Sequence, residues 1–520
     1  MISKLNVELK NEKVFDSILT ICEDLAKEYR LNQPIKNRKD KGQFFTPKKV
    51  SIFMADMLDL NQQTIKILDP GAGFGILTAA ICRKMSSCQN KNVEIVLYEN
   101  DPLILEGLEK VTILCKNALE ELGHIIKINI IKSDFIIDEK LIDGDKTYYD
   151  IIISNPPYYK LSKSDIHSIK MNNFVFGQPN IYYFFMVLST LKLKNSGQMV
   201  FITPRSFCSG LYFKKFRQWF LEKMSISKIH IFESRKKVFP DENILQETII
   251  LKSVKNEEKN SIEISSSIDS LFKKMYKIKA SHDDVIHRRN GDIVIRIPTS
   301  EQDLQTLKIM DKWPTKLKDQ GLTVSTGPVV PFRCKKYLIS NLENSQKYVP
   351  LIWMNNFENS NIIWPIQNSK PQAIAFSEET SRLLVTNDNY VLIKRFSSKE
   401  QKHRLSTAVL LKSKYPFEMI GIENHVNYIH NNKNGLPLEN MYGLSVYLNS
   451  SLTEKYFRIL NGNTQVNAND LNMVPFPDIN ILKEIGKIAL NKDGSMSPDE
   501  IVYPLLRKHC LITDQEVETK

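Results

Sequence analysis

The chain has 520 residues, of which 42% are hydrophobic and 25% charged, with seven cysteines and a formal net charge of +12 from 71 Lys and Arg against 59 Asp and Glu. That composition excludes a wholly disordered, collagenous or disulfide-stapled protein, and no run approaches the ~20 apolar residues a membrane-spanning helix needs. The cysteines form no CxxC pair, which argues against a zinc knuckle and fits a reducing cytoplasm, and the basic balance points toward a polyanionic partner.

Residues 1–40 are predicted to be helical, with Val14, Ile18, Ile21, Cys22, Leu25 and Ala26 at helical spacing. The start, MISKLNVELKNEKVF, mixes charge into every turn and holds no apolar signal core. A basic stretch follows at Lys36, Arg38, Lys39 and Lys41. GQFFTPKKVSIFMADML then gives a turn and an amphipathic helix with Pro47 at its start. From 65 to 250, β-branched runs (IKILD, VEIVLYE, IKINIIKS, DIIISN, GQMVFITP, KIHIFE, ETIILKS) alternate with helical stretches. This predicts an α/β unit with a largely parallel sheet buried on both faces. The polar, serine-rich SVKNEEKNSIEISSS reads as a domain boundary. Beyond it, short strands, aromatics and basic clusters predict an irregular α+β or mostly β domain, and the tail from about 481 returns to helix. The expected organisation is an N-terminal helical segment at 1–40, the α/β unit at 41–260, a second domain at 261–480 and a helical tail at 481–520.

Four motifs in the α/β unit sit at predicted strand ends. In ILDPGAGFG a strand ends at Asp69, and Gly71, Gly73 and Gly75 make a tight turn into a helix. Glycines let backbone approach a ligand closely, and the helix start offers free N–H groups. The spacing departs from GxGxxG, so a dinucleotide is not the expected guest. In VLYENDP, Glu99 closes the next strand, where a carboxylate can accept both hydroxyls of a ribose. In KSDF, Asp134 can accept from an exocyclic amine and Phe135 can stack on a purine. In DIIISNPPYY two prolines remove two N–H donors just after the strand. The Asn155 amide oxygen and the Pro156 carbonyl are left as paired acceptors in a rigid corner, suited to an amino group on a flat ring, with Tyr158 placed to stack. A glycine-rich junction, a solvated acid or a proline-stopped strand each arises for packing alone. Their succession within one α/β unit is what favours a ligand site.

In this order the motifs resemble S-adenosylmethionine-dependent DNA methyltransferases acting on an exocyclic amino group, specifically their γ group: GQFFTP, DPGAGFG, the ribose acid, DF, NPPY and then a C-terminal recognition domain. The resemblance implies a Rossmann-like class I methyltransferase domain with a mostly parallel sheet, plus a C-terminal α+β target-recognition domain. It implies N6-methylation of a flipped-out adenine in double-stranded DNA within a type II restriction–modification system. Residue by residue, it implies that Thr46, with Phe44 or Phe45, lines the methionine end of the cofactor. Asp69, Pro70, Gly71, Ala72 and Gly73 would border its amino acid moiety. Glu99, with Asn100 beside it, would hold the ribose, and Asp134 and Phe135 would read the adenine. Asn155, Pro156, Pro157 and Tyr158 would hold the target base, with Asn155 also bordering the cofactor. Phe213, or its competitor Tyr212, would lie across the base from Tyr158.

In the C-terminal half, PFRCKKYL and YVLIKRFSSKEQKHRL offer Arg333, Lys335, Lys394, Arg395 and Arg404 as DNA contacts. VSTGPVVPFR, ENHVNYIH and GNTQVNANDLNMVPFPD look like recognition-domain pieces, in the direction of the branch that modifies CTGCAG. The expected partner set is duplex DNA and a cognate endonuclease acting on the same site without a stable complex, for a monomer with no membrane association. His and acid spacings suggest no metal site, no nuclease-like PD…ExK cluster is seen, and the absence of a Pro-Cys dipeptide excludes the C5-cytosine route. The alternatives are N-methylation of ribosomal RNA or of a protein glutamine, and a non-catalytic DNA-binding relative.

Overall fold

Strands β1 (Thr64–Asp69), β2 (Asn92–Tyr98), β3 (Ile125–Ile131), β4 (Tyr149–Ser154) and β5 (Leu193–Pro204) form from the β-branched runs, and β1 to β5 pair in parallel. The computed structural model describes residues 2–34, 42–138, 147–175, 177–234, 247–289, 291–313, 315–342, 347–397, 401–462, 464–491, 495–513 and 516, with side chains from residue 11 onward. The basic stretch Lys36–Lys41 lies outside them. Four further strands, β6 (Met224–Phe232), β7 (Thr248–Lys255), β8 (Ser261–Ser267) and β9 (Tyr276–Ser281), complete a nine-stranded sheet in the order β3-β2-β1-β4-β5-β7-β6-β8-β9. β7 runs antiparallel between β5 and β6.

The chain leaves β1 toward β2 and β3, then returns to place β4 and β5 on the other side of β1. The reversal opens a crevice outside the carboxyl ends of β1 and β4, the position where open α/β sheets bind ligands. Asp69 closes β1, Glu99 and Ser133 follow β2 and β3, and Asn155 follows β4, so the four motifs meet on one edge. The helix Lys48–Asp56, the helix Ile76–Met85 and the N-terminal helix Ile2–Asn32 pack into the same core, to which Phe15, Ile18, Leu19 and Cys22 contribute. The buried face of the N-terminal helix is turned relative to expectation: Phe15 is buried while Val14 is 47% exposed.

The expected domain limits are corrected. The first compact unit is Met1–Ser300 and the second Glu301–Lys520. The helix Ile2–Asn32 is no separate segment, because it is part of the first core. The serine-rich stretch is no linker: it holds the end of β7, a short connection and β8, which pairs with β6 and β9. Ser265 and Ser267 are buried beside a buried imidazole. His230 Nδ1 lies 2.8 Å from Ser265 Oγ and Nε2 lies 3.0 Å from Ser267 Oγ. Burial pushes the His230 pKa down to about 3, so the ring is neutral and uses one donor and one acceptor on the two hydroxyls.

The second unit contains a six-stranded sheet that includes Thr323–Thr326, Val426–His430, Tyr390–Lys394 and Thr407–Leu410, and a five-stranded sheet that includes Tyr348–Ile352 and Met419–Ile422. The expected separate tail is also corrected, since Ile479–Asn491 and Pro498–Lys508 pack with the helix Leu438–Leu448 inside this unit. Among the described residues no helix is long and apolar enough to cross a membrane.

Candidate functional site

The glycine turn is fixed by hydrogen bonds to its backbone N–H groups. Asp69 is buried, and its Oδ1 accepts from Gly71 N at 3.3 Å. Ala72 N donates to the Tyr98 carbonyl at 2.9 Å, tying the turn to the end of β2. Gly73 has φ +53° and Gly75 φ +80°, in the left-handed region that glycine enters without strain. Gly75 precedes the first turn of the helix Ile76–Met85.

Glu99 braces this turn. Its Oε2 accepts from Gly73 N at 2.9 Å, and its Oε1 accepts from Asn100 N at 3.0 Å and Asp101 N at 2.9 Å. Burial raises its pKa, opposed by these three N–H groups. Asp101 caps the helix Pro102–Glu120 through Leu103 N and accepts from Tyr29 Oη at 2.8 Å and Gln43 Nε2 at 3.3 Å. The N-terminal helix and the GQFFTP segment are thereby latched onto the end of β2.

The GQFFTP segment lies against NPPY. Tyr158 N donates to the Gly42 carbonyl at 3.2 Å. Gly42 has φ +58°, and an added Cβ would stand 2.7 Å from Tyr158 N, so any other residue would push the segments apart. Asn155 Nδ2 donates to the Phe44 carbonyl at 2.7 Å and lies 3.1 Å from Thr46 Oγ1. These partners assign the amide orientation, and Asn155 Oδ1 is the acceptor. Tyr158 Oη lies 2.7 Å from that oxygen and 2.7 Å from the Ile202 carbonyl. The prolines remove the N–H donors that a continued strand would offer β5, and the phenol reaches the Ile202 carbonyl instead.

Asp134 closes the fourth side. Its Oδ1 accepts from Ile136 N at 2.8 Å and Ile137 N at 3.4 Å, and its Oδ2 meets Asn100 Nδ2 at 3.1 Å and His167 Nε2 at 3.2 Å. His167 Nδ1 lies 2.7 Å from Asp165 Oδ1. Both ring nitrogens face carboxylates, a geometry only the imidazolium satisfies with two donors. The hydrogen bond to Asp134 is the main cause raising the His167 pKa, assisted by Asp165 and opposed by burial. For Asp134, burial acts upward but the His167 and backbone donors carry its pKa below the usual range.

These elements enclose a cleft of about 630 Å³. Phe45, Thr46, Pro70, Gly71, Ala72, Gly73, Glu99, Asn100, Asp134, Phe135 and Asn155 all line it, as does Pro157. Asp69 is not on the wall. It lies behind the turn, and its Oδ2 is buried without a partner. Burial pushes its pKa up to about 7. Pro156 and Tyr158 also stand off the cleft wall. Tyr158 is only 7% exposed, with the Phe44 ring 5.8 Å away and the Tyr182 ring 6.4 Å away edge-on. Phe213 packs on Tyr182 at 5.7 Å, so Tyr182 stands between the two aromatics expected to face each other.

Sequence reasoning missed the contribution of the N-terminal helix, whose Glu23, Lys27 and Arg30 line the cleft, and of Phe185. The helix Ile181–Lys192 is buried almost all round, so periodicity carried no sign of which aromatic faces a ligand. Among the described residues no group of three or more His, Cys, Asp or Glu side chains is placed to hold a metal.

The five basic residues expected to touch DNA separate sharply. Arg333 and Lys335 are exposed. Lys394 Nζ sits 5.3 Å from the Phe357 ring centroid, and burial lowers its pKa. Arg395 Nη1 donates to the Asn424 carbonyl at 3.1 Å. The expectation for Arg404 is corrected: it is 1% exposed, donates to Ser397 Oγ at 3.0 Å and the Asn461 carbonyl at 3.3 Å, and lies over the Phe457 ring, so it is closed to a duplex.

A family profile described as Eco57I restriction-modification methylase matches residues 23–239. The chain is 36% identical to "Type II methyltransferase M.BsuBI" of Bacillus subtilis over 480 residues, covering 91% of this chain and 94% of that one. It is 35% identical to "Type II methyltransferase M.PstI" of Providencia stuartii, covering 90% and 94%. Among solved structures, the type IIL restriction-modification enzyme MmeI in complex with DNA shares the fold over 98% of this chain and 75% of its own, with TM-score 0.54 at 13% identity.

Proposed function

The chain belongs to the type II methyltransferases of restriction–modification systems, and we propose that it transfers a methyl group from S-adenosylmethionine to N6 of a flipped-out adenine at a specific site in double-stranded DNA. Protection of that site from a cognate endonuclease, without a stable complex and by a monomer, follows from the same reading. The chemistry of the cleft fits the cofactor. Carboxylates stand at the ends of β2 and β3, and Phe135 and Phe185 supply aromatic surface beside Asp134. Glu99 Oε2 accepts one N–H, from Gly73, which leaves it a second lone pair for a hydroxyl. S-adenosylmethionine supplies a methyl group already activated by the sulfonium charge.

The observation that carries the reading is the anchoring of Asn155. Its amide donors are held by the Phe44 carbonyl and Thr46 Oγ1, so Oδ1 is a positioned acceptor at the cleft wall. An adenine amino group is a poor nucleophile because its lone pair is delocalised into the ring. Hydrogen bonds from its two protons to Asn155 Oδ1 and the Pro156 carbonyl localise that pair as it attacks, and the protein contributes positioning and electrostatics without a covalent enzyme intermediate. Tyr158 has one phenolic proton between two oxygens at equal distance. Turning it to the Ile202 carbonyl frees Asn155 Oδ1 for the substrate. The base must leave the duplex, at a cost of a few kcal/mol. Phe44 and Tyr182 cover the Tyr158 ring, so stacking of the base between Tyr158 and Phe213 requires Tyr182 to move aside on DNA binding.

The unit Glu301–Lys520 is read as the recognition unit, with CTGCAG as the sequence to test first. The test is transfer of labelled methyl to duplex DNA against ribosomal RNA, followed by nucleoside analysis. N6-methyladenine in DNA, absent with N155A, supports the reading. Label in RNA, or in methylcytosine, sinks it.

A further inference from the structure

The three C-terminal segments singled out in the sequence meet in space. Asn424 N donates to the Val329 carbonyl at 2.9 Å and Gly327 N to the Val426 carbonyl at 2.8 Å, joining VSTGPVVPFR to ENHVNYIH. Asn427 Nδ2 donates to the Val466 carbonyl at 2.7 Å, and Val466 N donates to the Arg395 carbonyl at 2.8 Å, which brings in GNTQVNAND. The approach is close, since a Cβ on Gly327 would stand 2.3 Å from the Glu423 carbonyl oxygen. At this junction the strand Tyr390–Lys394 ends and the turn Glu423–His425 begins, with Arg395 N donating to the His425 carbonyl at 2.9 Å.

Side chains at the junction are held rather than loose. The Glu423 side chain is 1% exposed; its Oε2 accepts from His425 N at 3.0 Å, and its Oε1 lies 2.7 Å from His425 Nδ1. The His425 side chain is 43% exposed, and its ring stands against Phe396 at 4.8 Å. Arg395 has its Nη1 on the Asn424 carbonyl, and its Nε is buried without a partner. That leaves the Nη1/Nη2 end of a half-buried, pre-oriented guanidinium to supply donors. A flexible phosphate contact needs neither this anchoring nor the buried carboxylate behind the neighbouring imidazole.

We propose that Arg395 is a specificity-determining residue that reads a guanine edge, donating to O6 and N7 in the major groove, with His425, whose backbone N–H is held by Glu423 Oε2, as the wall beside it. The inference rests on reading Glu301–Lys520 as the recognition unit. The basic residues then divide in what they do, with Arg395 reading sequence, exposed Arg333 and Lys335 meeting phosphates, and Arg404 holding the unit together. Guanine presents two acceptors on that edge and is the base a forked donor selects, whereas phosphate contacts add affinity without sequence information.

The test maps methylated positions across a genomic substrate by long-read sequencing and measures KM and kcat on a cognate duplex for R395A, R395K and the double variant R333A/K335A of the full chain. R395A and R395K are both expected to raise KM about ten-fold or more and to spread methylation to sites differing at one G·C pair, with kcat within a few-fold of wild type. R395K keeps the charge but loses the fork, and it reads the proposal even where R395A fails to fold. R395K with wild-type site choice and KM makes Arg395 a phosphate contact and overturns the inference. R333A/K335A is expected to weaken binding uniformly and to flatten the salt dependence without relaxing site choice. If that pair alters binding while both Arg395 variants are silent, the inference alone fails. If all three are silent, the recognition-unit reading fails with it.

Discussion

Replacing Asn155 with aspartate keeps an acceptor oxygen and removes the anchor. In N155D the carboxylate cannot donate to the Phe44 carbonyl, now 2.7 Å from the amide nitrogen, or to Thr46 Oγ1 at 3.1 Å. The carbonyl loses its partner, and an oxygen replaces a nitrogen against it. An orphaned acceptor with added repulsion costs roughly 2–4 kcal/mol. For a unit of this size that is roughly a 4–8 °C fall in Tm. The surviving acceptor is also displaced, and misplacement of about 1 Å costs on the order of 10²-fold in rate. The deficit has a pH signature. A protonated carboxyl can donate to the Phe44 carbonyl, so the variant comes nearest wild type at low pH and loses ground as pH rises through that carboxyl's pKa. The assay is kcat for methyl transfer and Tm from pH 5.5 to 8.5, with N155A as the variant lacking both functions. N155D with wild-type kcat and Tm at pH 8 refutes the idea that the donors of Asn155 set the position of its oxygen.

Three further outcomes are expected. G42A forces a left-handed φ on alanine and places Cβ 2.7 Å from Tyr158 N, at about 1–3 kcal/mol, so kcat/KM for methyl transfer falls, and unchanged turnover removes the docking role of GQFFTP. Because the His167 pKa is raised by Asp134 and Asp165 and the Asp134 pKa is lowered, the clasp is whole at pH values below the unfolded His value yet above the Asp134 pKa, and weakens as pH rises through the folded His167 pKa. Cofactor affinity by calorimetry is expected to fall over that rise in wild type and to stay flat in H167A, and identical profiles would remove His167 from the site. R404A removes the guanidinium that donates to Ser397 Oγ and the Asn461 carbonyl in the buried interior and is expected to lower Tm by roughly 4–8 °C, with DNA affinity and salt dependence of the folded protein unchanged; a reduced salt slope would restore Arg404 as a phosphate contact.

The strand ends and their motifs were legible because each is local: an apolar run stops, and the residues after it are set by turn chemistry within four or five positions. Asp69 closes β1, and Glu99, Asp134 and Asn155 follow β2, β3 and β4, for that reason. What depends on partners far along the chain was not legible. Tyr29 meets Asp101 across 72 positions, and nothing in either local pattern announces it. Ser265 and Ser267 read as linker because polar composition normally means solvent, whereas His230 gives their hydroxyls buried partners. Arg404 read as a DNA contact because charge normally means surface, whereas Ser397, Asn461 and the Phe457 ring take up its guanidinium. Tyr158 was expected to present an open face, and the covering Phe44 comes from a segment more than a hundred positions earlier.

The most direct measurement is a crystal structure of the full chain with a duplex bearing its site and a non-reactive analogue of S-adenosylmethionine. The target adenine is expected outside the helix, its amino nitrogen within hydrogen-bond distance of Asn155 Oδ1 and the Pro156 carbonyl, and the Tyr158 proton donated to Ile202. An adenine still stacked in the duplex, or an amino group directed at other acceptors while the analogue fills the cleft, contradicts the account.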